Sequence, residues 1–437
     1  MLPTSKILHR DIPGIPWFGR SDINLAGELH AKYGPIVRLD GSFGSPNFVF
    51  LYDPDVIEYV LRNEDHLPVR PGFQSLVYFR NKNKPKDNPD CPTGLVSDQG
   101  ETWKKFRSTV NPVLLQPKTI RLYRTILGEV AEDMVARSKR NEKNMIEGKW
   151  DFEMNLWALE SIGVVALGGR LNCLDPRLPE GDPAMQMIQV VHDIFDVATR
   201  LDFRPNLSRF FSTPILKKHF IAKGKEELRQ KQKANDEKGV LEKLLEIDEN
   251  IAEIMASDML FAGIDTSSNT VTATLYFLAT NQDKQEKLRE EILSNDEKQP
   301  YLKACLKESM RILPVASANL RQTTKDYNLL GYSIPKGVMI SSLDEQFPQA
   351  SQFIPERWIV DRSDPLYYGQ AHPFAHMPFG FGVRSCIGRR IAELEIQTLL
   401  AKVVQNFRVE WFGAPLRVQQ KSLNYMMGPF NFTFKDI

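Results

Sequence analysis

Apolar residues recur at three- and four-residue spacing through most of the middle of the chain, the spacing of one face of an α-helix. The pattern predicts helices over Leu25–Tyr33, Glu101–Val110, Pro117–Lys139, Phe152–Leu167, Ala184–Thr199, Lys217–Lys233, Gly239–Leu245 and Asn250–Thr280. Another helix carries Glu308 and Arg311, and a further helix-like run extends from Ile387 to Val404. A Pro- and Gly-rich segment, Pro13 to Gly19, precedes the first helix. Ile36–Leu39 and Asn47–Tyr52 read instead as paired strands flanking Gly41–Pro46. Residues 70 to 99 show little periodicity and read as a polar loop. After Leu313 short strands with turns return, around Leu329–Gly337 and again near the C-terminus. The expected fold class is mainly α with small β-sheets, one continuous domain over residues 1–437 without internal repeats.

Composition changes this picture little. A chain of 437 residues is too long for one small core but suits a large helical domain. Apolar residues make up 42% and charged residues 25%, as in ordinary globular proteins. Lysine and arginine total 56 against 55 acidic residues, a balance that argues against nucleic acid as a partner. Four cysteines, Cys91, Cys173, Cys305 and Cys386, lie far apart without metal-finger spacing, which suits a reducing compartment. No run approaches the roughly 20 apolar residues that span a bilayer. Met1 to Arg10 carries Lys6, His9 and Arg10 and no acid. It reads either as a short remnant of an import presequence or as a frayed terminus.

The candidate chemistry concentrates in ten residues, Phe379-Gly380-Phe381-Gly382-Val383-Arg384-Ser385-Cys386-Ile387-Gly388. A lone cysteine near glycines is commonly a small buried hydrophobe. Here Cys386 follows Arg384 by two residues and directly precedes a helix-like run, so positive charge and free N–H groups lie within reach of its sulfur. Gly380 and Gly382 allow backbone conformations and close approaches that a side chain would block. Gly388 lets the helix start lie flat against something bulky and planar. These are the requirements of an axial thiolate on haem iron. The pattern Phe-x-x-Gly-x-Arg-x-Cys-x-Gly resembles the haem-binding signature of the cytochrome P450 family, and the resemblance covers nearly the whole chain. It implies haem b, a haem-thiolate monooxygenase activity, and a fold in which haem sits between a long central helix and the cysteine loop.

Other motifs resemble the family at matching positions. Asp265 and Thr266, in Ala262-Gly263-Ile264-Asp265-Thr266, resemble the acid–alcohol pair that delivers protons during oxygen activation. Taken alone, they also read as a buried acid and a helix-packing residue, with the Thr hydroxyl able to capture a backbone carbonyl and open the helix. Glu308 and Arg311 share a helix face, and the resemblance adds Arg357, from Pro355-Glu356-Arg357-Trp358, to form a buried structural set. Trp103 and Arg107, four residues apart, match a pair that bonds a haem propionate, and Arg321 and Arg384 match the remaining propionate positions.

Lys303 and Lys307, with Arg389 and Arg390, resemble the docking residues of members that take electrons from an adrenodoxin-like ferredoxin. A solvated helix face is the plainer reading of such lysines. The overall wording is most similar to insect mitochondrial members, which implies a mitochondrial location on the matrix side of the inner membrane, with peripheral membrane association. Three stretches are short for the family: Gly337 to Phe347, Ile292 to Leu302, and His219 to Val240. The expected activity inserts one oxygen atom into an apolar small molecule, a steroid or a lipophilic foreign compound. The alternative is a shortened haem protein without turnover. An isomerase-like relative is disfavoured by the acid–alcohol pair and the basic patch. Phe73 to Phe79, Ile194 to Phe203, Met259 to Ile264 and Val315 to Ala318 are candidate pocket positions, and equally ordinary core material.

Overall fold

The computed structural model describes residues 7–8, 25–39, 47–84, 91–137, 149–178, 181–201, 238–294, 296–316, 318–342 and 347–437. The expected helix Lys217–Lys233 lies outside them. The N-terminal part holds β1 (Ile7–Leu8), α1 (Leu25–Tyr33), β2 (Ile36–Leu39), β3 (Phe48–Leu51), α2 (Pro54–Arg62) and α3 (Gln74–Lys82). Then come α4 (Gly100–Leu114), α5 (Pro117–Arg121), α6 (Arg124–Arg137), α7 (Trp150–Leu167), α8 (Pro183–Leu201), α9 (Val240–Leu245) and α10 (Glu249–Thr280). They are followed by α11 (Gln282–Leu293), α12 (Pro300–Ile312), β4 (Asn319–Gln322), β5 (Tyr327–Leu329), β6 (Tyr332–Ile334) and β7 (Met339–Ser342). The chain closes with α13 (Arg389–Asn406), β8 (Phe407–Trp411), β9 (Arg417–Gln420), β10 (Asn424–Met427) and β11 (Phe432–Asp436).

Helix α10 organises the rest. Its 32 residues extend about 48 Å. Asp248 caps it, accepting from the Ile251 N–H at 3.0 Å. The helix is buried along most of its length, with apolar residues on several sides and a buried polar stretch from Asp265 to Thr274. It packs against α7, whose Ile162 side chain comes so close that a Cβ on Gly263 would lie 2.8 Å from it. The Trp150 indole adds a bond to Thr272 at 3.0 Å. A side chain at 263 would push the two helices apart, so this glycine sets their separation.

The larger sheet has the order β1-β2-β3-β7-β4, mixing parallel and antiparallel pairs. Its β4–β7 pairing sets Arg321 opposite Ile340. Three two-stranded sheets, β5–β6, β8–β11 and β9–β10, complete the topology among the described residues. The architecture is thus mainly helical with small sheets.

Three details differ from the sequence expectation. The stretch 70 to 99 contains α3, which sequence periodicity misses because Leu76 is its one buried residue. This helix is held instead by polar contacts: Arg80 pairs with buried Asp258 of α10 at 2.5 Å and bonds Thr93 O at 2.8 Å. The single helix expected over Pro117–Lys139 is divided at Leu122 and Tyr123, where the N–H groups bond three residues back, to Thr119 and Ile120. Tyr123 turns inward there and its hydroxyl accepts the Val240 N–H at 2.6 Å. Finally, α2 and α11 are helices absent from the expectation, although Asp53 before Pro54 is a clear N-cap signal, accepting from Asp55 and Val56 N–H.

Candidate active site

The cysteine loop is built by backbone bonds across it. The Cys386 N–H bonds Phe379 O at 2.8 Å, and the Gly380 N–H bonds Met377 O at 2.9 Å. Gly380 and Gly382 have φ of 71° and 67°, the left-handed region that favours glycine. Helix α13 begins at Arg389, two residues later than the sequence run suggested, so Ile387 and Gly388 still belong to the turn. The N–H groups of Gly388 and Arg389 therefore point at the Cys386 sulfur.

Cys386 is the one accessible cysteine among Cys91, Cys173, Cys305 and Cys386. Protein surrounds its thiol at longer range, and that burial pushes the thiol up despite the two N–H groups, Arg107 and Arg70. Accessibility of the sulfur itself decides which cysteine can bind a ligand, and by that measure Cys386 alone is open.

Four arginines converge beside it. The Arg384 Nε donates to Pro68 O at 3.0 Å and its Nη2 to Gln99 Oε1 at 2.5 Å. Its guanidinium lies over the Trp103 ring, 3.6 Å from the centroid. Arg107 donates from Nη2 to Ser385 O at 2.8 Å. Arg321 donates to Glu64 at 2.7 Å and to Phe381 O at 3.3 Å. Arg70, which the sequence reading did not single out, is the fourth. Burial and the neighbouring arginines lower Arg384 to about 9. Burial also lowers Arg107, to about 10, against the pull of Cys386. Burial and Arg321 lower Arg70 as well. Arg107 Nε and Arg384 Nη1 are buried without a hydrogen-bond partner among the described residues. Glu64, on Arg321 and Arg384, and the more distant Asp258, on Arg70, balance only part of this charge among the described residues, so the cluster suits an anionic group.

The family profile described as Cytochrome P450 matches residues 15–435. The chain belongs to the cytochrome P450 family. It is 36% identical to cytochrome P450 CYP12A2 of Musca domestica, covering 99% of this chain and 89% of that one. It is 37% identical to the probable mitochondrial cytochrome P450 12b2 of Drosophila melanogaster, covering 99% and 88%. The first alignment extends over 482 positions against the 437 residues here, so that relative carries segments this chain lacks. The fold is similar to the crystal structure of a cytochrome P450 named CYP102L1, with a TM-score of 0.75 at 20% identity, covering 94% of this chain and 97% of that one.

As a cytochrome P450, the chain is an oxidoreductase, a haem-thiolate monooxygenase. The residues present fit haem iron and its porphyrin. One open sulfur faces the space, and a Cβ on Gly388 would meet nothing within 4 Å but that sulfur, at 3.9 Å. Two buried, unbonded guanidinium nitrogens stand ready for carboxylates.

Other expected residues of the cytochrome P450 signature are placed as follows. Glu308 is fully buried and accepts from Arg311 at 2.9 and 3.0 Å, Arg357 Nε at 2.9 Å, the Ile354 N–H at 3.0 Å and Trp358 Nε1 at 2.9 Å. Asp265 and Thr266 are neighbours in sequence but face different partners, since successive residues diverge by about 100° around a helix. The Thr266 hydroxyl donates to Ala262 O at 2.6 Å, beside the exposed Ala262, without breaking the helix. Asp265 turns instead to Tyr425 of β10 and His192 of α8. Phe73, Phe195 and Phe261, from three of the candidate pocket stretches, pack together at 4.8–5.5 Å. Lys303 and Arg389 are exposed, Arg390 likewise, and Lys307 lies over the Trp358 ring at 5.6 Å. Arg389 pairs with Glu393 at 3.0 Å and lies 5.2 Å from the Phe379 ring.

Proposed function

We propose that this cytochrome P450 holds haem b on Cys386 and oxygenates an apolar small molecule, a steroid or lipophilic foreign compound, with electrons from an adrenodoxin-like ferredoxin in the mitochondrion. The observation that carries the reading is the pairing of one accessible cysteine at a helix start with four converging arginines, two of which have buried unbonded nitrogens. Arg70, Arg107, Arg321 and Arg384 would take the two propionates of haem b, and Trp103 supports Arg384 from beneath. Once bound, haem iron supplies the activation of dioxygen and the insertion of one oxygen atom into a C–H bond.

The chain's own residues do the rest. The Gly388 and Arg389 N–H groups stabilise negative charge on the Cys386 sulfur. Thr266 Oγ1 holds a proton at the open stretch of α10 and is oriented by Ala262 O. The Phe73–Phe195–Phe261 cluster offers aromatic surface to an apolar substrate and excludes water. Arg389 and Arg390, which follow the cysteine loop, with Lys303 and Lys307 of α12, are the positive charges on which an acidic ferredoxin would dock. The mitochondrial location rests on relatives that carry that word in their names. No helix among the described residues is long and apolar enough to cross a membrane, in keeping with peripheral association.

The carbon-monoxide difference spectrum of the reduced protein tests the reading. A strongly red-shifted Soret band that vanishes in Cys386→Ser is the expected result. A band at the position of imidazole-ligated haem, or no bound haem, would overturn it.

A further inference from the structure

Glu64 is the carboxylate that touches the arginine cluster. It stands just beyond Asn63, the C-cap of α2, where the negative end of the helix disfavours an anion. The Tyr327 hydroxyl holds this turn by donating to Asn63 O at 3.3 Å. The acid therefore does nothing for its own helix. Its Oε2 accepts Arg321 Nε at 2.7 Å, and the two side chains are 14% and 7% exposed. Arg62, much nearer in sequence, pairs with Glu58 instead.

The same carboxylate lies against the cysteine loop. A Cβ on Gly382 would come within 3.4 Å of Glu64 Oε1, so the glycine leaves the acid its room. Arg321 is engaged through all three nitrogens, by Glu64, by Leu320 O at 3.0 Å and by Phe381 O at 3.3 Å. Arg107 and Arg384, by contrast, each keep a buried nitrogen without a hydrogen-bond partner among the described residues. Arg321 thus differs from these two in that a protein carboxylate already meets its charge. It still carries spare hydrogens, since a guanidinium offers five. Any further anion must share it with Glu64.

We propose that Glu64 is a third carboxylate built into the propionate site, a positioning residue that acts through Arg321. Before haem enters, it holds Arg321 beside the cysteine loop and offsets like charges that would otherwise face each other uncompensated. Once haem is bound, it competes with a propionate for the same guanidinium. Its negative charge then weakens haem retention and disfavours the added electron of the ferrous state. The proposal rests on the reading of the arginine cluster as the propionate site.

The charges around Glu64 agree with the role. Burial pushes its carboxyl up, while Arg321 and then Arg384 pull it down. Arg384 in turn is drawn upward by Glu64, against burial and its neighbouring arginines. The acid is therefore coupled to two arginines of the cluster, although it bonds one.

The test is Glu64→Gln, which removes the charge but keeps the shape and an acceptor for Arg321 Nε. Ferric haem should pass to apomyoglobin about tenfold more slowly from this variant than from wild type, since a charge-assisted bond freed for a propionate is worth at least that factor. The ferric–ferrous potential, read by spectroelectrochemical titration, should lie higher. A residue that only props up Arg321 predicts the reverse, faster haem loss from a weaker bond and no change in potential. Haem loss at or above the wild-type rate would overturn the proposal, as would an unchanged or lower potential. If Arg384→Gln speeds haem loss while Glu64→Gln matches wild type, the Glu64 role fails alone. If Arg384→Gln holds haem as tightly as wild type, the underlying reading of the cluster fails.

Discussion

Arg384 lies flat over Trp103, its guanidinium carbon 3.6 Å from the ring centroid. Both residues are buried, one from the cysteine loop and the other from α4. The sequence reading paired Trp103 with Arg107 on one helix face as a propionate contact. In the folded chain the indole face also supports a different arginine, Arg384. Such contacts are worth about 0.5–2 kcal/mol depending on desolvation. Trp103→Leu should therefore speed haem loss to apomyoglobin by a factor of about 2 to 30, and Trp103→Phe by less. Equal rates for Leu and wild type would show that the stacking does not hold Arg384 in place.

Glu308 predicts a stability effect without a catalytic one. Its two oxygens accept five N–H donors from Arg311, Ile354, Arg357 and Trp358, all within 3.0 Å. Phe347 lies against both guanidinium groups, at 5.2 and 5.7 Å. Removing the carboxylate leaves two buried cations facing each other, a loss of about 3–5 kcal/mol. Urea unfolding of Glu308→Ala should show that loss, and the fraction that remains folded should keep the wild-type carbon-monoxide spectrum. A normal midpoint would contradict the burial argument.

How much of this was legible in the sequence depends on how local each feature is. The cysteine loop is contiguous, so its glycines, Arg384 and Cys386 stand in one readable pattern. The long α10 carries apolar residues through 32 positions, a length no strand could match. Arg70 escaped because it lies alone in an irregular segment, and the site needs it only once three distant segments meet. Glu64 and Gln99 escaped for the same reason: their partners, Arg321 and Arg384, are hundreds of positions away. His192 reads as an ordinary polar position of an amphipathic helix until α8 is laid beside Asp265. By contrast α2 carried a usable signal in Asp53-Pro54, and only the weight given to strand patterns nearby obscured it.

The basic surface predicts an ionic-strength effect. Lys307 is half-buried against Trp358, whereas Arg390 is exposed. Reversing an exposed charge chiefly alters the rate of encounter with an acidic partner and its salt dependence. Arg390→Glu should raise the KM for adrenodoxin at low salt, with the difference shrinking as the Debye length falls from about 10 Å at 0.1 M to 3 Å at 1 M. Its carbon-monoxide spectrum should be unchanged. A KM equal to wild type at low salt would remove Arg390 from the docking surface.

Glu395 links the helix after the cysteine loop to the helix carrying Thr266. Its Oε1 is 2.5 Å from Ser267 Oγ, while Oε2 is buried without a hydrogen-bond partner among the described residues. Burial pushes the carboxyl from 4.5 up to about 8, although Ser267 pulls it down. A carboxyl raised on folding contributes stability that is full below its unfolded value and is lost as pH climbs through its folded one. The window here runs from 4.5 to about 8. Glu395→Gln removes the ionisation and keeps the shape. Its melting temperature should match wild type near the acid end of that window and exceed it above the alkaline end. Parallel melting curves across the window would mean that Glu395 ionises in the fold as readily as in the open chain. The carboxyl would then need a second partner on Oε2.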